Sequence, residues 1–166
     1  VGSQVAIELK DTEAIDPELW QMRRQKDPDE LKLMKKAIAC TEAMYRRGKE
    51  IIEPGVPELK VFTELNEAAV LEAGEPLTEL LGNDFACGAR GGPPREDKKA
   101  GKGELYILDL GPVYRGYFSD NARTFAVDRR PSDRQMKAWE AIVGALEVGG
   151  KMGRAGAGCQ GIFGGV

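Results

Sequence analysis

The sequence predicts an α+β fold, with amphipathic helices packed against a mostly antiparallel sheet. Three observations point there: two capped helical segments in tandem between Asp27 and Gly74, an apolar strand–turn–strand run between Leu105 and Phe125, and another capped helix beginning at Ser132. At 166 residues, 42% of them apolar and 31% charged, the chain suffices for one domain with a real core.

Residues 4–9 alternate, placing Val5, Ile7 and Leu9 on one face as in a short strand. Asp16-Pro17-Glu18 opens a helical turn that runs through Leu19, Trp20 and Met22 to Arg23-Arg24. At Asp27-Pro28-Asp29-Glu30, Asp27 can cap a helix, Pro28 fits its first position and Glu30 reaches back three residues. Leu31, Met34, Ile38, Thr41, Tyr45 and Ile52 then form a stripe at helical spacing, and Glu53-Pro54-Gly55 stops the helix. A second helix starts near Pro57-Glu58, carries Leu59, Phe62, Leu65, Ala69 and Leu71, and ends at Gly74. These stripes are expected to be core and the intervening charges a solvated face.

Local signals leave residues 77–87 undecided. Residues 88–103, rich in Gly, Pro, Arg and Lys, read as loop. Arg90 and Arg95 offer an anion pocket for a carboxylate or phosphate; Lys98, Lys99 and Lys102 favour the plainer reading of a solvated basic loop. Ser132 and Gln135 repeat the capping signal, with Trp139, Ile142, Val143 and Leu146 as the expected buried stripe and Gly149-Gly150 as the stop. Eight glycines fall among residues 149–166, which predicts a poorly specified tail.

Net charge is −3 with both signs interspersed, so no basic stripe points to nucleic acid and no polybasic run to a membrane surface. No segment approaches the roughly 18 apolar residues needed to span a bilayer. Cys40, Cys87 and Cys159 are an odd, scattered set, which suits a reducing compartment and a cytoplasmic location. For Cys87, a simple thiol outweighs a ligand or redox role. Val1-Gly2-Ser3 reads as a cut end rather than a secretory signal.

The segment 105–125, LYILDLGPVYRGYFSDNARTF, carries the chemistry. An apolar run ends in Asp109, a turn forms around Arg115-Gly116, and a second strand-like run from Tyr117 brings in Asp120. Folding such a hairpin can set two carboxylates side by side. Held that close they repel, and a divalent cation between them removes the conflict. The same residues also suit ordinary turn chemistry, since Asp before Gly is common in turns.

The wording of the segment resembles the metal-binding hairpin of the pita-bread peptidases: methionine aminopeptidase, aminopeptidase P, prolidase and creatinase. It shows in Asp109-Leu110-Gly111, Tyr114-Arg115-Gly116-Tyr117, Ser119-Asp120 and Arg123-Thr124-Phe125, and is nearest the Xaa-Pro aminopeptidase and prolidase branch. The resemblance implies that Asp109 and Asp120 are the first two of five metal ligands, with Arg123 and Thr124 supporting the hairpin. It implies a partial pita-bread fold, a curved sheet under helices, with residues 1–16 as lead-in, 17–148 as the first half of the catalytic domain and 149–166 as tail.

The implied cofactors are two divalent ions (Mn, Co or Zn), the implied substrate a peptide with proline at its second position, and the implied reaction removal of the residue before that proline. The chain contains no histidine, whereas the family places one about seventeen residues before its first ligand Asp, which here falls within Arg90-Gly91-Gly92-Pro93-Pro94-Arg95. The remaining His and Glu ligands belong to the second half of the family's domain. The chain is therefore expected to be an incomplete, inactive portion with metal absent or weakly bound, pairing with a missing half or another copy. Two alternatives remain: a non-catalytic pita-bread module that binds peptides or partners, and creatinase-like hydrolysis of a small amidino compound.

Overall fold

The computed structural model describes residues 15–78, 84–88 and 91–166. The predicted strand at residues 4–9, part of the undecided segment 77–87, and Arg90 lie outside the described residues.

Helix α1, Asp16–Arg24, forms where Asp16-Pro17 predicts it. Helix α2, Pro28–Ile51, begins with the expected reciprocal cap, the Asp27 N–H donating to Glu30 Oε2 at 2.7 Å. Helix α3, Glu58–Ala73, ends on Gly74 at φ 76°, a left-handed conformation glycine adopts without steric cost. The helix ends match the expectation, and the expected stripe holds at Thr41 and Ile52, with Tyr45 packed on the core, but not along its first turns. Leu31 and Ile38 are exposed, and the buried line is Ala37, Cys40, Thr41, Met44 and Gly48. Small side chains occupy that line because α2 lies close to the sheet: a Cβ on Gly48 would sit 3.2 Å from Leu108 Cδ1. On α3, Leu65 and Ala69 are buried as expected, Leu59 and Leu71 are exposed, and Val61 and Ala73 take their places.

Strand β1 is Asp84–Cys87, β2 Leu105–Leu110 and β5 Asn121–Ala126; they form an antiparallel sheet in the order β1-β2-β5. Between β2 and β5, the short strands β3, Val113–Tyr114, and β4, Tyr117–Phe118, pair separately as the tip of the hairpin. Arg115 at φ 48° and Gly116 at φ 84° are both left-handed, giving a two-residue turn whose twist matches the flanking strands. Helices α2 and α3 cover one face of the sheet, where Tyr106, Leu108, Leu110, Phe85 and Cys87 meet Met44, Val61 and Leu65 in the core.

Helix α4, Asp133–Met152, starts with the predicted Ser132/Gln135 cap, the Ser132 N–H donating to Gln135 Oε1 at 2.7 Å. Two expectations for this region fail. Trp139, Ile142 and Leu146 are exposed, because among the described residues no sheet or helix pair covers their face. Gly149-Gly150 does not stop the helix, which continues to Met152 before a short helix α5, Cys159–Gly165. Helix α5 returns against the end of α4, where a Cβ on Gly165 would fall 2.7 Å from Met152 Sδ.

Candidate active site

Burial alternates along β2. Tyr106, Leu108 and Leu110 face the helices, and Leu105, Ile107 and Asp109 face away. Register then places neighbours: Asp84 of β1 and Ala122 of β5 lie directly across from Asp109 on its two sides. Directly paired residues share a face, so Asp84 and Asp109 point the same way. The Ser119 hydroxyl bonds Thr41 on α2, just before Asp120 in the turn that leads into β5. Asp84 and Asp109 therefore share the sheet face away from the helices, and Asp120 lies near enough for its charge to act on Asp109.

The hairpin is fixed from behind. Tyr45 donates its hydroxyl to the Asn121 carbonyl, Tyr117 donates to Glu30 Oε1 at 2.7 Å, and Arg115 forks onto Glu75 at 2.7 and 2.6 Å. Arg123 stacks over the Tyr45 ring, 5.8 Å from its centroid. No described residue donates a hydrogen bond to the side chains of Asp84, Asp109 or Asp120. Burial first, then the charges of Asp120 and Asp84, push the Asp109 carboxyl above the usual carboxylate range.

Such a face attracts cations. Its donors are hard oxygens, suited to divalent ions of the Mg or Mn kind more than to soft metals. Among the described residues, no three or more His, Cys, Asp and Glu side chains come close enough to hold an ion by themselves. Sequence reasoning missed Asp84 because its relation to Asp109 depends on strand register, and the segment before it gives no decisive local signal.

Sequence reasoning also missed a cluster on the helix-covered side of β1. Glu58, in the first turn of α3, is fully buried. Its Oε1 accepts from the Cys87 N–H at 2.8 Å, the Cys87 thiol at 3.2 Å and Arg95 Nη2 at 2.5 Å; its Oε2 accepts from the Arg95 N–H and Nε, each at 2.9 Å. Burial alone would raise the Glu58 carboxyl; the Arg95 fork and the backbone donors outweigh it and hold the group at about 2. Arg95 is thus committed to Glu58 and to the Cys87 carbonyl, at 2.8 Å, rather than forming an anion pocket or a free solvated charge. Burial, and secondarily the bond to Glu58, push the Cys87 thiol up to about 12, which makes it a buried, unreactive thiol.

The chain belongs to metallopeptidase family M24, matching it over residues 32–164. It is 29% identical over 130 residues to a putative Xaa-Pro aminopeptidase of Mycoplasma pneumoniae, covering 74% of this chain and 35% of that one. It is 27% identical over 141 residues to the Xaa-Pro dipeptidase of Pyrococcus horikoshii, covering 82% and 39%. The Pseudomonas aeruginosa aminopeptidase PepP superposes with a TM-score of 0.78 at 25% identity, over 87% of this chain and 33% of that one. The prolidase of Pyrococcus furiosus superposes at 0.72 with 24% identity, over 81% and 40%. The fold is accordingly part of the pita-bread fold, and the chain spans about a third of the length of the curated relatives it matches.

Proposed function

We propose that this chain supplies the first half of the catalytic site of a metal-dependent exopeptidase that removes an N-terminal residue preceding proline. The observation that carries the reading is the pair Asp109 and Asp120, close enough for one charge to act on the other and without hydrogen-bond donors among the described residues. Family membership and the names of the aligned relatives support the reaction class. In this reading Asp109 and Asp120 hold the ions through carboxylate oxygens, and the hairpin contacts of Tyr45, Tyr117 and Arg115 keep the two acids in register. When bound, the divalent ions supply an activated water whose pKa falls toward roughly 7. No histidine is available in this sequence, so any imidazole ligand comes from outside these residues. Alone, the chain is a weak metal binder and an inactive one. It functions with the complementary half of the domain or a second copy, in the cytoplasm, where its three free cysteines suit the reducing conditions.

Xaa-Pro peptides incubated with the chain and Mn²⁺, Co²⁺ or Zn²⁺ test the reading, alongside Mn²⁺ binding followed by electron spin resonance. The expected result is no cleavage, with weak Mn²⁺ binding that D109N and D120N abolish. Binding unaffected by either substitution removes the metal reading and favours a non-catalytic peptide-binding module. Turnover that disappears in D120A shows instead that these residues suffice for activity.

A further inference from the structure

We propose that Glu58 and Arg95 are a positioning pair for the carboxylate face, holding loop 91–100 as the wall that keeps Asp84 in place beside Asp109. The loop has three anchors. At its start, the Phe85 N–H donates to the Gly92 carbonyl at 2.9 Å. At its end, the Glu58 N–H donates to the Lys98 carbonyl at 3.1 Å, and the Ala100 N–H to the Val56 carbonyl at 2.9 Å. Between them, Arg95 donates to the Glu58 carboxylate from its backbone N–H, Nε and Nη2.

The first arm of this loop reaches the acidic face. A Cβ on Gly91 would overlap the Asp84 carboxylate, so loop backbone lies directly against that side chain. Asp84 pairs across the ladder with Asp109. The same Glu58 carboxylate accepts the Cys87 N–H at the far end of β1. One buried group thus references both the loop and the strand that carries Asp84.

A buried ion pair is weak evidence of a stability role, because desolvation offsets much of the Coulomb gain. What the guanidinium fork supplies is direction: two parallel bonds that fix the angle at which Arg95, and the loop with it, leaves Glu58.

The inference rests on reading Asp109 and Asp120 as metal ligands, and its test separates the two. Mn²⁺ is titrated into the full chain while paramagnetic broadening of backbone amide signals is followed. Cys87 is labelled in parallel with a maleimide. In the unsubstituted protein, signals of Asp84, Gly91, Gly92, Asp109 and Asp120 broaden together. In R95M, Gly91 and Gly92 escape broadening, the Mn²⁺ concentration that half-broadens Asp109 rises at least threefold, and Cys87 labels at least tenfold faster. R95K, which keeps charge without the fork, moves the same way and decides the matter should R95M fail to fold. R47M, which breaks a pair on the outer surface of α2 and α3, leaves all three readouts unchanged.

Faster labelling with unchanged Mn²⁺ response overturns the positioning role and leaves a merely structural clasp. Unchanged labelling in both Arg95 variants overturns it too. Absence of broadening at Asp109 and Asp120 in the unsubstituted protein sinks the metal reading itself, and the positioning role with it.

Discussion

Removing the charge of Glu58 leaves the donors of Arg95 and Cys87 facing a neutral amide. Breaking a buried pair from one side costs about 3–5 kcal/mol, but Arg95 is exposed enough to rehydrate, so E58Q is expected to cost less than that, about 2–3 kcal/mol. The folded Glu58 carboxyl, at about 2, lies below its ordinary 4.5. Its contribution is therefore fully present above pH 4.5 and is lost as pH falls toward 2. The urea midpoints of wild type and E58Q should differ by a constant amount from pH 7 to 5 and draw together below 4.5; a gap that is undiminished at pH 2.5 removes the electrostatic account. Asp109 has the opposite sign. Its folded carboxyl is raised, so its ionisation opposes folding above that range and the penalty vanishes once the group is protonated. With divalent ions chelated, D109N should raise stability at pH 7 by about 0.5–1 kcal/mol and lose the advantage under acid, as functional-site acids often do. Asp109 and Asp120 could be proposed from the sequence because their motif is local. Glu58 could not, since an acid in the first turn of a helix looks like ordinary dipole chemistry until the fold buries it.

At the scale of elements, caps were legible and packed faces were not. The Asp27/Glu30 and Ser132/Gln135 pairs fixed the starts of α2 and α4 from four residues each. The buried line of α2 keeps Thr41 of the expected stripe and otherwise runs through Ala37, Cys40, Met44 and Gly48; apart from Met44 these side chains are small and carry little hydropathy signal. The hairpin turn offers a test in which two terms compete. Arg115 is held at φ 48°, which costs a residue with a Cβ about 1 kcal/mol or more, whereas its exposed pair with Glu75 returns at most about 1 kcal/mol. R115N, which suits the left-handed region, should therefore be neutral or slightly stabilising despite losing the ion pair. G116A, at φ 84°, should cost about 1–2 kcal/mol. Chemical denaturation measures both; a large loss in R115N would mean that the Glu75 contact, not backbone conformation, governs the tip.

At the scale of the molecule, α4 poses the question that its sequence periodicity raised. Trp139, Ile142 and Leu146 were read as a buried stripe, and the spacing is right for one, yet their relative exposures are 55%, 61% and 68%. A helical stripe specifies that a face wants covering, not what covers it. Among the described residues α4 packs chiefly on α5, while Trp20 and Met22 of α1 and Phe163 of α5 are exposed as well. Contiguous apolar surface beyond a few hundred Å² drives association, and each large side chain withdrawn from water contributes about 1.5–3 kcal/mol. The chain is therefore expected to self-associate at micromolar concentrations through α4. Sedimentation velocity at several concentrations should show a weight-average that rises with loading, accompanied by binding of a hydrophobic dye. The double substitution W139E/I142E should abolish both while leaving helix content unchanged, because both positions are exposed and neither supports the core. A monomer at every concentration with no dye binding would mean that the stripe is covered within the chain itself, and the reading of these residues as half of a two-part domain would lose its physical support.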